Sequence, residues 1–192
     1  MEIKRIVTGS YAENCYLLIN YETGSAFMID PGDEPQVVID EVNRLNLKIK
    51  AVLITHGHFD HTNSIKTIKE KLNVKIYMNK LDLPLVSDPD AVDEDIKDGD
   101  VFTLGDIKVK AIATPGHSMG GMCFMTDNIL FSGDTLFEGS IGRTDLQGGD
   151  YSQLINSIKS RLLPLPDDTV VYPGHGGVTT IGQEKVYNPF LR

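Results

Sequence analysis

The sequence predicts an α/β fold, on three observations. Short apolar runs with strand character alternate with amphipathic helical segments along the chain. Of its 192 residues 41% are hydrophobic, enough to fill a core. Histidines and aspartates of metal-ligating type recur just beyond the ends of strands. A chain of this size is expected to form one compact domain, residues 1–192.

Strands are expected at about Ile3–Val7, Cys15–Ile19 and Ala26–Ile29, before a helix marked by Pro35 in its first turn, with Val38, Val42 and Leu45 apolar. The run KIKAVLIT, ending at Thr55, reads as a buried strand, and a helix with Ile65, Ile68 and Leu72 on one face follows it. Further strands fall near Ile107–Ala113, Met122–Met125 and Ile129–Phe131, then a helix capped by Asp150 and a strand at Thr169–Tyr172. The acidic stretch DPDAVDEDIKDGD, residues 88–100, lacks the offsets of an EF-hand loop and is expected to be a solvated loop.

Composition narrows the partners. A formal charge of −9, with no cluster of Lys and Arg, argues against general nucleic-acid binding and favours small-molecule substrates. The N-terminus lacks an apolar signal core, and stretches such as Ala51–Ile54 are far too short to span a bilayer, so no membrane association or export is expected. Cys15 and Cys123, widely spaced among apolar residues, read as reduced core thiols, which fits a cytoplasmic location.

All five histidines fall inside candidate metal-binding motifs. THGHFDH offers His56, His58, Asp60 and His61; TPGHS offers His117, SGDT offers Asp134, and PGHG offers His175. Seven imidazole and carboxylate donors suffice for two divalent ions that share a bridging carboxylate and leave a position open for water. Zinc is the expected metal; such donors also accept iron or manganese. Gly57 lets an irregular loop aim His56 and His58 at one ion and Asp60 and His61 at another, which a regular helix would do poorly.

These four motifs, in this order and over nearly the whole chain, resemble the metallo-β-lactamase superfamily. The stretches GDTLFEGSIGRTDLQGGD and PGHGGVTTIGQEKVYNPFL resemble the small glyoxalase II-like, or hydroxyacylglutathione hydrolase-like, branch. The resemblance implies an αββα sandwich with metals at one edge. It implies that His56, His58 and His117 hold the first ion and Asp60, His61 and His175 the second, with Asp134 bridging, so that Asp60 and Asp134 are the carboxylates of catalysis. The flavodiiron branch typically has Glu where this chain has His58, which points to hydrolysis. The implied reaction is cleavage of a small acyl thioester, such as S-lactoylglutathione, by a metal-bridging hydroxide.

Asp30, in IDPGD, resembles the superfamily's acidic residue that supports a ligating imidazole, and reads equally as a surface turn residue. Arg143, in GRTD, lies where related glyoxalases carry a basic residue that meets the anionic part of the thiol substrate; a surface pair with Asp145 is the other reading. Ile141, Phe137 and Met119 are expected in the core rather than the acyl pocket. Two departures bear on glutathione. The chain ends soon after PGHG, where full-length glyoxalases II add a helical domain, and Asp145 stands where larger relatives place Tyr. Persulfide dioxygenases of the same superfamily share a GRTD-like segment and bind one iron through two His and one Asp, so they form the alternative. A binding protein that has lost catalysis, and lactone or RNA hydrolysis, are more remote.

Overall fold

The computed structural model describes residues 1–192. Strand β1 (Glu2–Thr8) pairs antiparallel with β2 (Glu13–Asn20), and every residue of β2 is buried. A strand covered on both faces sits between two layers, and side-chain alternation divides its residues between them. Cys15, Leu17 and Ile19 enter one core, while Tyr16 and Leu18 enter another. The next strands are β3 (Ser25–Ile29), β4 (Lys48–Leu53), β5 (Ile76–Met78) and β6 (Glu94–Asp95), completing a sheet in the order β1-β2-β3-β4-β5-β6. Pairing is antiparallel from β1 to β3 and parallel from β3 to β6. The connections include α1 (Pro35–Arg44), a single helical turn α2 (Phe59–Thr62) and α3 (Ile65–Leu72).

The second half repeats the plan. Strands β7 (Val101–Leu104), β8 (Ile107–Ala113), β9 (Met122–Thr126) and β10 (Ile129–Gly133) are followed by the small hairpin β11 (Leu136–Phe137) and β12 (Ser140–Ile141). Helix α4 (Tyr151–Ser157), β13 (Val170–Pro173), β14 (Thr179–Thr180) and α5 (Ile181–Tyr187) complete the chain. The second sheet has the order β14-β13-β10-β9-β8-β7. Three buried clusters then define four layers. One packs the first sheet on α1 and α3 through Leu17, Val38, Val52 and Ile68. The middle one joins the two sheets through Leu18, Phe27, Leu53, Phe124 and Phe131. The third packs the second sheet on α4 and α5 through Cys123, Leu130, Leu154 and Ile181. This is the expected αββα sandwich. No helix is long and apolar enough to cross a membrane.

Three local expectations are corrected. The acidic stretch forms a short 3-10 turn at Pro89–Ala91 and the edge strand β6, and its carboxylates are engaged: Asp93 accepts from Ile76 N–H and pairs with Lys69, and Asp98 meets Arg161. The second half of THGHFDH is not irregular, because Asp60 and His61 stand on the helical turn α2. Ile141 is in the core as expected, Phe137 is half-buried beside His175, and Met119 is exposed at 54%.

Between β1 and α1, Lys4 (3.1 Å) and Arg44 (2.7 Å) flank Glu41. Their hydrogen bonds, Arg44's first, outweigh burial and hold the carboxyl down at about 2. A depressed carboxyl stabilises the fold above its unfolded pKa and stops doing so as pH falls towards the folded value. Thermal melts of Glu41→Gln are therefore expected to fall slightly below native ones at neutral pH and to converge with them as pH drops from about 4.5 to 2.

Candidate metal centre

Strands β8, β10 and β13 run in one direction, because β9 is antiparallel to both its neighbours and β13 is parallel to β10. His117, Asp134 and His175 follow the C-terminal ends of these three strands, and His56 and His58 follow that of β4. The seven candidates from distant parts of the sequence thus meet at one edge of the sandwich.

They meet as two groups sharing a carboxylate. In the first, His117 Nε2 lies 3.2 Å from His56 Nε2 and 2.9 Å from His58 Nδ1. In the second, His175 Nε2 lies 3.1 Å from Asp60 Oδ2, and His61 Nε2 lies 3.8 Å from the same oxygen. Asp134 faces both: Oδ1 is 3.4 Å from His61 Nε2, while Oδ2 is 3.6 Å from His117 Nε2 and 3.7 Å from His175 Nε2. Donor atoms of each group lie within 4.8 Å of one another.

The outer nitrogens show which atoms are free to bind. His117 Nδ1 donates to the Arg143 carbonyl (2.7 Å) and His175 Nδ1 to the Tyr11 carbonyl (3.0 Å), since a carbonyl only accepts. Thr55 donates its hydroxyl hydrogen to Asp30 (2.6 Å), so towards His56 Nδ1 (3.0 Å) it is an acceptor. Each bond fixes a tautomer whose Nε2 lone pair turns inward. Two lone pairs at 3.2 Å repel unless a cation lies between them. His61 Nε2 and Asp134 Oδ1 are buried without any hydrogen-bond partner, an arrangement a protein tolerates where an ion completes it. The residues fit a pair of divalent cations.

Electrostatics separates the two groups. Burial first, then the neighbouring imidazoles, push His56 well below its ordinary value and His58 down to about 4, so both are neutral donors at physiological pH. Around His61 burial acts in the same direction but is overcome by Asp134 and Asp30, which favour a positive charge there. Burial is likewise overcome at Asp134, held at about 2 by His61, His117 and His175.

Asp30 is buried, not a surface turn residue, and adopts a left-handed backbone with φ of 47°. Its carboxylate accepts from Thr55 N–H (2.8 Å), from Thr55 Oγ1 and from His61 Nδ1 (3.0 Å), joining the segment after β4 to the second group. Arg143 borders the cleft and contributes its carbonyl to His117, while its exposed guanidinium forms a two-point pair with Asp145 (2.7 Å each). The cleft, about 520 Å³, is walled by Tyr11, Phe59, Leu85, Leu146 and Gln147, none of which the motifs single out. Met119, Phe137 and Ile141 do not line it. Glu13, buried with its Oε1 3.7 Å from His61 Nδ1, was also missed; a glutamate inside the otherwise strand-like run ENCYLLIN was the available signal.

Gly174, just before His175, has no room for a side chain: a Cβ there would overlap Asp134 Oδ1 and lie 2.7 Å from His61 Cε1. Gly174→Ala is expected to displace both donors and lower metal affinity by about 10- to 100-fold, the range for disturbed ligand support, which equilibrium dialysis would measure.

The profile of the metallo-β-lactamase superfamily matches residues 8–175, and the chain belongs to that superfamily, whose members are typically hydrolytic metalloenzymes. Among its relatives is hydroxyacylglutathione hydrolase GloC of Haemophilus influenzae, 37% identical over 209 residues, covering 100% of this chain and 98% of the relative. Similar solved structures include BLEG-1 B3 metallo-β-lactamase, with a TM-score of 0.91 and 35% identity, covering 99% of each chain. ETHE1 from Myxococcus xanthus has a TM-score of 0.86 and 30% identity over 98% of this chain and 84% of its own. TTHA1623 in a di-iron-bound form has a TM-score of 0.87 and 37% identity over 98% and 100%.

Proposed function

We propose that this chain is a two-metal hydrolase of small acyl thioesters, of glyoxalase II type. The observation that carries the reading is the complete second donor group, Asp60, His61 and His175, facing the first across Asp134. A one-iron site built from two His and one Asp has no use for it. In this reading His56, His58 and His117 would hold one divalent ion and Asp60, His61 and His175 the other, with Asp134 available to both; zinc is the expected metal, with iron or manganese also suited to the donors. Such ions would bring the pKa of a bound water near neutrality and polarise the substrate carbonyl.

The protein's own groups do the rest. Tyr11, Phe59, Leu85 and Leu146 enclose the thioester and limit water around it, and Arg143 borders the cleft, where an anionic part of the thiol carrier would have to displace Asp145 from its guanidinium. A covalent route through cysteine has no support: Cys15 and Cys123 are fully buried, and burial raises both thiols, Cys123 to about 11. No separate general acid is required, because a thiol of pKa about 8.5 leaves readily as thiolate. The relationship to GloC supports hydroxyacylglutathione as the first substrate to test. The second reading, a one-iron persulfide dioxygenase, draws on the GRTD segment, Arg143 to Asp145. Assay of one metal-loaded sample for thiol release from S-lactoylglutathione and for oxygen uptake with glutathione persulfide separates them. Oxygen uptake without thiol release would refute the hydrolase reading.

A further inference from the structure

We propose that Asp82 is a positioning residue that sets the geometry of the three-histidine group, an inference that rests on that group holding an ion. Asp82 lies in the 3-10 turn Lys80–Leu85 after β5, far in sequence from every metal-binding motif, and is 0% exposed. A buried carboxylate is costly unless its oxygens are satisfied, so the groups that satisfy it show what it was placed to hold. Its Oδ2 accepts from Gly57 N–H (3.0 Å) and Ser118 Oγ (2.7 Å), and its Oδ1 accepts from Gly120 N–H (2.6 Å). Gly57 is the peptide between His56 and His58, and Ser118 directly follows His117. One carboxylate therefore ties together the two loops that carry all three histidines.

The surrounding glycines show that the clamp is close-fitting. A Cβ at Gly57 would lie 2.6 Å from the Asp82 carbonyl oxygen, and one at Gly120 would lie 2.8 Å from Asp82 Cγ. The hydroxyl and the two N–H groups converge on one anion with charge-assisted bonds, stronger and more directional than neutral ones. None of the three donors belongs to Asp60, His61 or His175. Asp82 thus meets the loops of one group only, whereas Asp30 accepts both from His61 of the other group and from Thr55, beside His56. Replacing the anion frees the loops to relax, and the imidazoles lose the relative placement their 2.9 and 3.2 Å separations record.

The test is cobalt(II) titration of metal-free protein, read by calorimetry and visible absorption, for wild type, Asp82→Asn, Ser118→Ala and His117→Ala. Asparagine keeps the volume but turns an amide NH2 towards hydrogen-bond donors. The expected result is that Asp82→Asn weakens one ion by about 10- to 100-fold, the range for supporting groups around a metal, and alters its visible band. That ion is the one His117→Ala abolishes, and the other ion is bound as in wild type. Ser118→Ala, which removes one of the three donors, weakens the same ion less, and it decides the matter if Asp82→Asn does not fold. Wild-type affinity for both ions in these variants, or equal weakening of both, would overturn the proposal. Failure of wild type to bind cobalt would instead overturn the metal reading, and this proposal with it.

Discussion

Asp134→Ala is expected to cut kcat/KM for thioester hydrolysis by about 10³-fold or more and to reduce bound metal from two ions per chain to one or none. Asp134 is the carboxylate that meets both groups: Oδ1 faces His61 of the second, while Oδ2 faces His117 of the first and His175 of the second. Metal ions contribute several kcal/mol of transition-state stabilisation, and about 4 kcal/mol corresponds to the 10³-fold loss. Asp134→Asn separates charge from packing, since it fills the same volume with a neutral, weaker donor. Elemental analysis and steady-state kinetics on both variants are the measurements. Retention of both ions and near-native kcat/KM in Asp134→Ala would show that the carboxylate does not bridge.

Asp60→Ala is expected to cause a similar loss of thiol release while leaving about one ion per chain. Asp60 supplies the oxygen 3.1 Å from His175, and none of the contacts among His56, His58 and His117 depends on it. Removing it dismantles the second group alone. Loss of one ion's contribution to charge stabilisation, several kcal/mol, again corresponds to about 10³-fold. The variant also divides the two readings, because a one-iron dioxygenase held by two His and one Asp would keep its oxygen uptake. Hydrolysis preserved in Asp60→Ala would contradict a two-metal mechanism.

Much of the donor set was legible because its members sit in short motifs after strands, where local sequence decides both the chemistry and the position. The strands themselves were legible where they are long and apolar, as in β2 and β4. β5 has three residues and β7 four, too short to give a signal of their own. Helix α5 buries only Ile181 and Glu184, so it lacks an apolar stripe. Helix α2 was missed because its four residues read as part of the ligand loop. The cleft walls and Asp82 were hidden for another reason. Tyr11 meets Phe59 with ring centroids 5.2 Å apart, and Asp82 meets Ser118 across 36 positions, contacts that only the packed sandwich creates. Asp30 was ambiguous in sequence because a turn aspartate and a buried acceptor look alike until burial is known.

The most direct test of the account is metal content by elemental analysis together with thiol release from S-lactoylglutathione, measured on one purified sample. Two divalent ions per chain are expected, with rapid, metal-dependent release that a chelator abolishes. One iron per chain with no thiol release, and oxygen uptake with glutathione persulfide, would contradict it.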